Sequence, residues 1–328
     1  MALLEVRDYS VWFARVGSVN RAVDGVSFTL NRGETMGIVG ESGSGKTTLF
    51  LGILQLLPRS AVIVNGSVRF DGTEISADHG GAVNLLRGRR VTMVFQDPMT
   101  SLNPYLRIKT QLLEAVRNRN ASGGSRAEDH AYAVSLLEAV GIPDAARRIR
   151  QYPHVFSGGM RQRVLIAMAL APGPDLLIAD EPTTALDVTV RAQVLELLAA
   201  ARRERGMAMA LISHDIGMVS RYSDRVLILY AGRVMETGPT AAVLDRPAHP
   251  YTRALLCCQP ALARRGAPLR AIPGAPPRDG APERGCAFAD RCIHVAARCR
   301  TDIPRFEPAG DGVPDHMTSC LRWREGLN

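Results

Sequence analysis

Thr35-Met36-Gly37-Ile38-Val39-Gly40-Glu41-Ser42-Gly43-Ser44-Gly45-Lys46-Thr47-Thr48 decides how this chain folds. The first five residues are a short apolar run of strand length. The eight from Gly40 to Thr47 fit G-x-x-x-x-G-K-[ST] between that strand and a helical pattern. Glycines in such a turn permit the left-handed backbone that aims successive N–H groups inward at phosphate oxygens. The helix expected over 45–57, ended by Pro58, adds the partial positive charge of its N-terminus. Gly40, Ser42, Gly43, Ser44 and Gly45 are therefore candidate phosphate-cradle positions. Lys46 would reach the β- and γ-phosphates, and the Thr47 hydroxyl would ligate Mg²⁺. A Gly-rich strand-to-helix turn that binds nothing is the alternative reading. Of 40 basic residues only Lys46 and Lys109 are lysines, so a compact ammonium, where one is needed, falls to Lys46.

Outward from this turn, short β-branched runs are expected as strands at 3–6, 23–30, 62–70, 91–95, 176–179, 207–212 and 226–229. Helical patterns separate them, notably over 106–150 and 158–170. That alternation predicts an α/β fold on a largely parallel sheet. With 328 residues, 46% of them hydrophobic, the chain has ample material for a packed core, which excludes a disordered or fibrous chain. At roughly 100–200 residues per domain it holds about two domains, or one large domain with an appendage. No apolar stretch approaches the ~20 residues of a membrane helix, and residues 1–8 carry no basic-then-apolar secretory signal. A cytosolic chain is expected unless something carries it to a membrane surface. The net charge of +8 admits nucleic acid, an anionic membrane face or phosphate ligands as partners, but no run of five like charges concentrates it.

Two further stretches bear chemistry. Leu176-Leu177-Ile178-Ala179-Asp180-Glu181 is an apolar strand ending in two carboxylates. After a P-loop, the first suits Mg²⁺ coordination, and Glu181 would orient or deprotonate the attacking water. Ser157-Gly158-Gly159 opens the helix before that strand and makes a second anion-binding nest; a plain N-cap followed by flexible glycines is the alternative. Two phosphate cradles on one chain are explained economically if two subunits clamp each ATP between them.

These motifs, with Gln96 after the strand at 91–95, Asp187 and His214 beyond the strand at 207–212, resemble an ATP-binding-cassette nucleotide-binding subunit over about residues 3–245. The resemblance implies an α/β P-loop NTPase cassette: a mixed-sheet core with a helical subdomain, about 100–170, inside a domain spanning 1–245. It implies a head-to-tail dimer holding two ATPs. Gln96 would sense Mg²⁺ and the lytic water, Asp180 would hold Mg²⁺ with Thr47, and His214 would hydrogen-bond the γ-phosphate. Asp187 would cross the dimer interface, and Thr48 joins the ATP-binding set. An aromatic ring stacking on adenine is expected upstream: Phe13 fits best and Trp12 is second, a strand-edge core aromatic being the alternative. Met160 departs from the Gln many cassettes carry after Ser-Gly-Gly.

From Arg246 onward the chain turns Pro/Gly/Arg-rich, as a small C-terminal extension over 246–328. Arg246-Pro247-Ala248-His249-Pro250-Tyr251 and Gln96-Asp97-Pro98-Met99-Thr100-Ser101 resemble the oligopeptide/dipeptide importer branch, which is also similar to nickel and glutathione importers. All six cysteines lie after position 256. Cys286, Cys292, Cys299 and Cys320 have the count of a Cys₄ site, and the absence of a C-x₂-C pair argues against a zinc ribbon. In the importer branch these four are associated with a [4Fe–4S] cluster; two disulfides or free thiols are the alternatives. The resemblance implies an ATPase energising uptake of di- or oligopeptides at the cytoplasmic face of the cell membrane. Its partners would be a second, paralogous ATPase subunit, two transmembrane permease subunits and an extracytoplasmic solute-binding protein, with no nucleic acid. A soluble cassette ATPase acting on nucleic acid or ribosomes would usually carry two cassettes, whereas one P-loop occurs here. A change in the tail is expected to leave the ATP-binding residues little affected.

Overall fold

The computed structural model describes residues 2–15, 17–58, 60–76, 81–95, 97, 101–119, 125–183, 186, 188–258 and 271–325. Two compact units divide the chain: Met1–Gly80 with Leu211–Asn328, and Gly81–Ala210. The first unit begins with β1 (Ala2–Arg15), β2 (Ser18–Asn31), β3 (Thr35–Val39), α1 (Lys46–Ile53), β4 (Ala61–Phe70) and β5 (Thr73–Glu74). The second contains α2 (Gly81–Leu86), β6 (Val91–Val94), α3 (Ile108–Arg117), α4 (Arg126–Ala139), α5 (Ala145–Arg148), α6 (Gly158–Leu170), β7 (Leu176–Asp180) and α7 (Val188–Arg205). Strand β8 (Ala208–Ser213) crosses the boundary. The first unit resumes with α8 (Ile216–Tyr222), β9 (Arg225–Tyr230), β10 (Arg233–Pro239), α9 (Thr240–Asp245), α10 (Pro250–Cys257), β11 (Glu307–Pro308) and β12 (Met317–Thr318).

Strand β3 lies where the sequence predicts it. All five of its residues are buried, with Met36, Ile38 and Val39 fully so, and it runs parallel to β9 through the register Met36↔Arg225 to Val39↔Ile228. At about 1.5–3 kcal/mol per buried aliphatic side chain, this strand is a rigid base for the turn that follows. Strand β1 runs well past the expected 3–6, because it pairs antiparallel with both β2 and β4 in a sheet ordered β2-β1-β4-β5. Antiparallel strands need bury only one face, so strand structure continues after the apolar run ends. Helix α1 stops at Ile53, short of the expected 57, and Pro58 is not what stops it. Gln55 adopts φ 51°, and the N–H groups of Gln55 and Leu56 donate to the carbonyls of Gly52 and Leu51, a Schellman closure with Gln in place of the usual Gly.

Strand β10 is absent from the sequence expectation, because Glu236, Gly238 and Pro239 mask its pattern. It forms a hairpin with β9 in which Arg233 pairs with Tyr230, and the two turn residues Ala231 and Gly232 both have positive φ, 47° and 84°. That is the turn whose twist matches the strands it joins. The tail extends the same sheet: β12 pairs with β10 (Glu236↔Thr318, Thr237↔Met317) and β11 pairs with β12. Behind it Phe288 packs against Tyr230 and Tyr251, ring centroids 5.3 and 5.2 Å away.

In the second unit β6 and β7 are parallel, Val91↔Leu176 to Val94↔Ala179. Helices α3, α4 and α6 pack through Ile108, Leu112, Val116, Leu136, Leu137 and Val164, all buried. Ser125 and Glu128 close a reciprocal capping box at the start of α4. Among the described residues no helix is long and apolar enough to cross a membrane.

Candidate nucleotide-binding site

The P-loop leaves β3 at Gly40, where a Cβ would stand 2.1 Å from the Leu229 carbonyl oxygen, so no other residue fits. Gly43 and Gly45 adopt φ 78° and 99°, and a Cβ on Gly45 would meet the Ala22 carbonyl at 2.2 Å. The loop is pinned from outside by the β9–β10 turn, as the Gly232 N–H donates to the Ser44 carbonyl at 2.9 Å. Lys46 is buried at 6% exposure. Its ammonium donates to the carbonyls of Gly40 (2.7 Å) and Glu41 (2.9 Å) and to Ser44 Oγ (3.4 Å). The cation is thus folded into its own loop. Gly45 caps α1 without any side-chain acceptor. Ser42 and Gly43 are exposed, while Thr47 and Thr48 are half-buried in the first turn of α1. His214 is exposed at the residue after β8, and its neighbour Asp215 caps α8 by accepting from the Met218 N–H at 3.0 Å. Phe13 and Trp12 are half-buried on β1, opposite Asn20 and Arg21 of β2, and the Arg21 guanidinium lies 4.8 Å over the Trp12 ring. Trp12 is thereby engaged by a cation, whereas no ring contact occupies Phe13 among the described residues.

In the second unit Asp180 ends β7 at 2% exposure. The next residue, Glu181, is half-buried and adopts φ 45°, a left-handed conformation rare outside Gly, Asn and Asp. Strain of this kind persists where surrounding structure fixes a residue for a task. Ser157 caps α6, its Oγ accepting from the Met160 N–H at 3.3 Å, and leaves its hydroxyl proton for another acceptor. Gly158 faces open space, whereas a Cβ on Gly159 would stand 3.1 Å from Val190 Cγ1. Ser157 is thus an N-cap, and the first glycine after it has no neighbour within 4 Å of where a Cβ would stand. Gln96 and Asp187 lie outside the described residues.

Cys286, Cys292, Cys299 and Cys320 line one cavity with Phe288, His249 and His294, all within the first unit. All four are free, so the disulfide alternative fails. Burial raises the Cys286 thiol to about 12 and the Cys320 thiol to about 11, with the neighbouring cysteines adding to the rise. Among the described residues no three His, Cys, Asp or Glu side chains stand close enough to hold a metal ion. His249 is buried, its imidazole lowered to about 3 by that burial. Its Nδ1 accepts from the Tyr251 N–H, which leaves the proton on Nε2, and Nε2 is buried without a partner.

Sequence reading missed the tail's engagement with the P-loop. Arg291 donates to both carboxylate oxygens of Glu41 at 3.0 Å, and Tyr251 Oη accepts from the Glu41 N–H at 3.0 Å. Partners 250 positions apart leave no local signal.

Residues 23–184 match the ABC transporter family, and residues 235–299 match the oligopeptide/dipeptide transporter C-terminal region. The oligopeptide transport ATP-binding protein OppD of Salmonella typhimurium is 48% identical over 325 residues, covering 99% of this chain and 95% of its own. The dipeptide transport ATP-binding protein DppD of Escherichia coli is 43% identical over 312 residues, covering 95% of each. A solved post-hydrolysis dimer of the ATP-binding cassette MJ0796, bound to ADP and Pi, superimposes with a TM-score of 0.65 at 26% identity, over 72% of this chain and 98% of that one. With a strand–P-loop–helix turn, a strand-end carboxylate pair and this tail, the chain belongs to the ABC transporter ATP-binding family, in its oligopeptide/dipeptide branch.

Proposed function

We propose that this chain is the ATP-hydrolysing subunit of a di- or oligopeptide importer, working at the cytoplasmic face of the cell membrane. The observation that carries the reading is the buried Lys46 ammonium, held by its own loop carbonyls, on a chain whose remaining length continues into a peptide-transporter tail. Thr47 and Asp180 offer hard oxygen donors of the kind Mg²⁺ takes, with Gln96 the third candidate. The P-loop amides and Lys46 bind the phosphates, with Thr48 beside them and Phe13 against the adenine. Glu181 accepts a proton from the attacking water as its oxygen bonds to the γ-phosphorus and the bond to ADP breaks. His214 donates to the γ-phosphate. Ser157, Gly158, Gly159 and Asp187 serve the ATP held by a second cassette, for which a paralogous subunit is the partner. Two permease subunits and an extracytoplasmic binding protein complete the assembly.

Cys286, Cys292, Cys299 and Cys320 are the residues that would hold a [4Fe–4S] cluster. Four thiols lining one cavity have the count and the sulfur donors that such a cluster takes. The orphaned His249 Nε2–H at the same cavity suits a sulfur-rich anion. Such a group would supply stability to a loop-rich segment, with no redox chemistry asked of it.

The test is reconstitution with the permease subunits and binding protein in vesicles. ATP-dependent accumulation of labelled peptide is expected with the wild-type chain and not with Lys46→Ala; peptide uptake that is indifferent to Lys46→Ala would refute the reading.

A further inference from the structure

An acidic residue sits inside the anion-binding loop. Glu41 follows Gly40 directly, and its backbone carbonyl accepts from Lys46 Nζ and from the Ser44 N–H (3.2 Å). A carboxylate beside a site for polyphosphate opposes binding unless it is turned away and neutralised. One residue of the tail engages this carboxylate. Arg291 Nη1 donates to Glu41 Oε1 and Oε2, both at 3.0 Å, and to Tyr230 Oη at 3.2 Å. Its Nε donates to the Pro273 carbonyl at 2.8 Å and its Nη2 to the Ile272 carbonyl at 3.3 Å. The side chain is only 6% exposed. The planar fork thus binds P-loop, core strand and tail at once, which a lysine has too few fixed donors to do. Arg291 is also the residue before Cys292, at the end of a one-turn helix whose first residue, Ala289, lines the cysteine cavity together with Cys292.

We infer that Arg291 is a positioning residue for ATP. It holds the Glu41 carboxylate away from the phosphates and cancels its charge, and it couples the filling of the P-loop to the order of the cysteine-bearing segment. Coupling is reciprocal: whatever the tail contributes to the P-loop, ATP in the P-loop contributes to the tail. A residue that only stapled the tail would make neither link. The inference rests on the P-loop binding ATP, as proposed above.

The experiment measures ATP binding to the purified full chain, with Glu181→Gln present throughout to suppress turnover, together with hydrogen exchange over residues 286–300. Arg291→Ala should weaken ATP binding on the order of tenfold. Arg291→Lys, which keeps the charge but not the fork, should lie between Arg291→Ala and the parent. Adding Glu41→Gln to Arg291→Ala should recover most of the loss, because it removes the carboxylate that Arg291 had neutralised. In the parent chain, ATP should slow exchange over 286–300, and Arg291→Ala should abolish that slowing. A folded Arg291→Ala chain that binds ATP as the parent does, or a double variant no better than Arg291→Ala, would overturn the inference. Should Arg291→Ala not fold, absence of ATP-dependent slowing in the parent chain overturns it equally. Failure of the parent chain to bind ATP at all would instead overturn the ATPase reading.

Discussion

Gly40 and Gly158 are both signature glycines, yet their surroundings differ. A Cβ on Gly40 would lie 2.1 Å from a backbone oxygen of β9, which cannot move without disturbing the sheet, whereas Gly158 faces open space. Gly40→Ala should therefore lower unfolding free energy by about 1–3 kcal/mol and abolish ATP binding, measured by urea denaturation and nucleotide titration. Gly158→Ala should leave stability unchanged, or raise it by up to about 1 kcal/mol as helix propensity improves, while ATP turnover in the assembled transporter falls. Equal destabilisation by the two would contradict this assignment. At this scale the sequence was legible wherever chemistry is local. Lys46 and Asp180 are identified by their neighbours, because a strand and a turn suffice to place them. The φ of 45° at Glu181 was not legible, since a glutamate seldom adopts that conformation and nothing in its residue type calls for it.

Between elements, the join of β10 to β12 is held by a buried charged cluster. His316 Nε2 lies 2.8 Å from Glu236 Oε1, and Nδ1 lies 2.8 Å from Asp311 Oδ2. Burial alone would depress this imidazole, but Glu236 and Asp311 outweigh it and hold it above the usual histidine range. Because the folded value is raised, the stability His316 contributes is complete below the unfolded value of about 6.5 and is lost as pH rises through the folded value. The opposite holds for Asp311: burial would raise it, but His316, the Val313 N–H and Arg246 together hold it below the usual range, so its share is present above the unfolded carboxylate value of about 3.9 and fades as pH falls through the folded one. Urea midpoints between pH 5 and 9 should fall on the alkaline side in wild type, and His316→Gln should flatten that fall. Parallel curves for the two proteins would show that His316 is not clamped as described. None of this was legible in the sequence. Strand β10 was missed for its Glu, Gly and Pro, and the buried Glu236 that spoils its apolar pattern is the residue its partners need. By contrast α6 was predicted residue for residue, since Ser157 marks its start and a long apolar run its body.

Over the whole molecule, the sequence separated a cassette from a tail by composition, and pairings remote in sequence cross that division. Residues 2–76, 211–258 and 271–325 share one compact unit, with Arg291 on Glu41, Arg21 on Glu283 at 2.6 Å and β12 on β10. Replacing Cys292 by Ser should accordingly reach further than the tail. Purified anaerobically, the wild-type chain should carry about four iron; Cys292→Ser should lose most of it, and ATP affinity should fall along with tail order. One zinc per chain, or no metal under anaerobic conditions, would remove the cluster and leave the nucleotide site untouched. Steady-state turnover in the assembled transporter is the measurement that decides whether Glu181 drives ATP hydrolysis. Glu181→Gln keeps the shape but removes the carboxylate proposed as the base, so ATP should bind as in wild type while turnover drops by about 10²–10⁴-fold. Turnover at the wild-type rate by that variant would show that Glu181 is not the catalytic carboxylate.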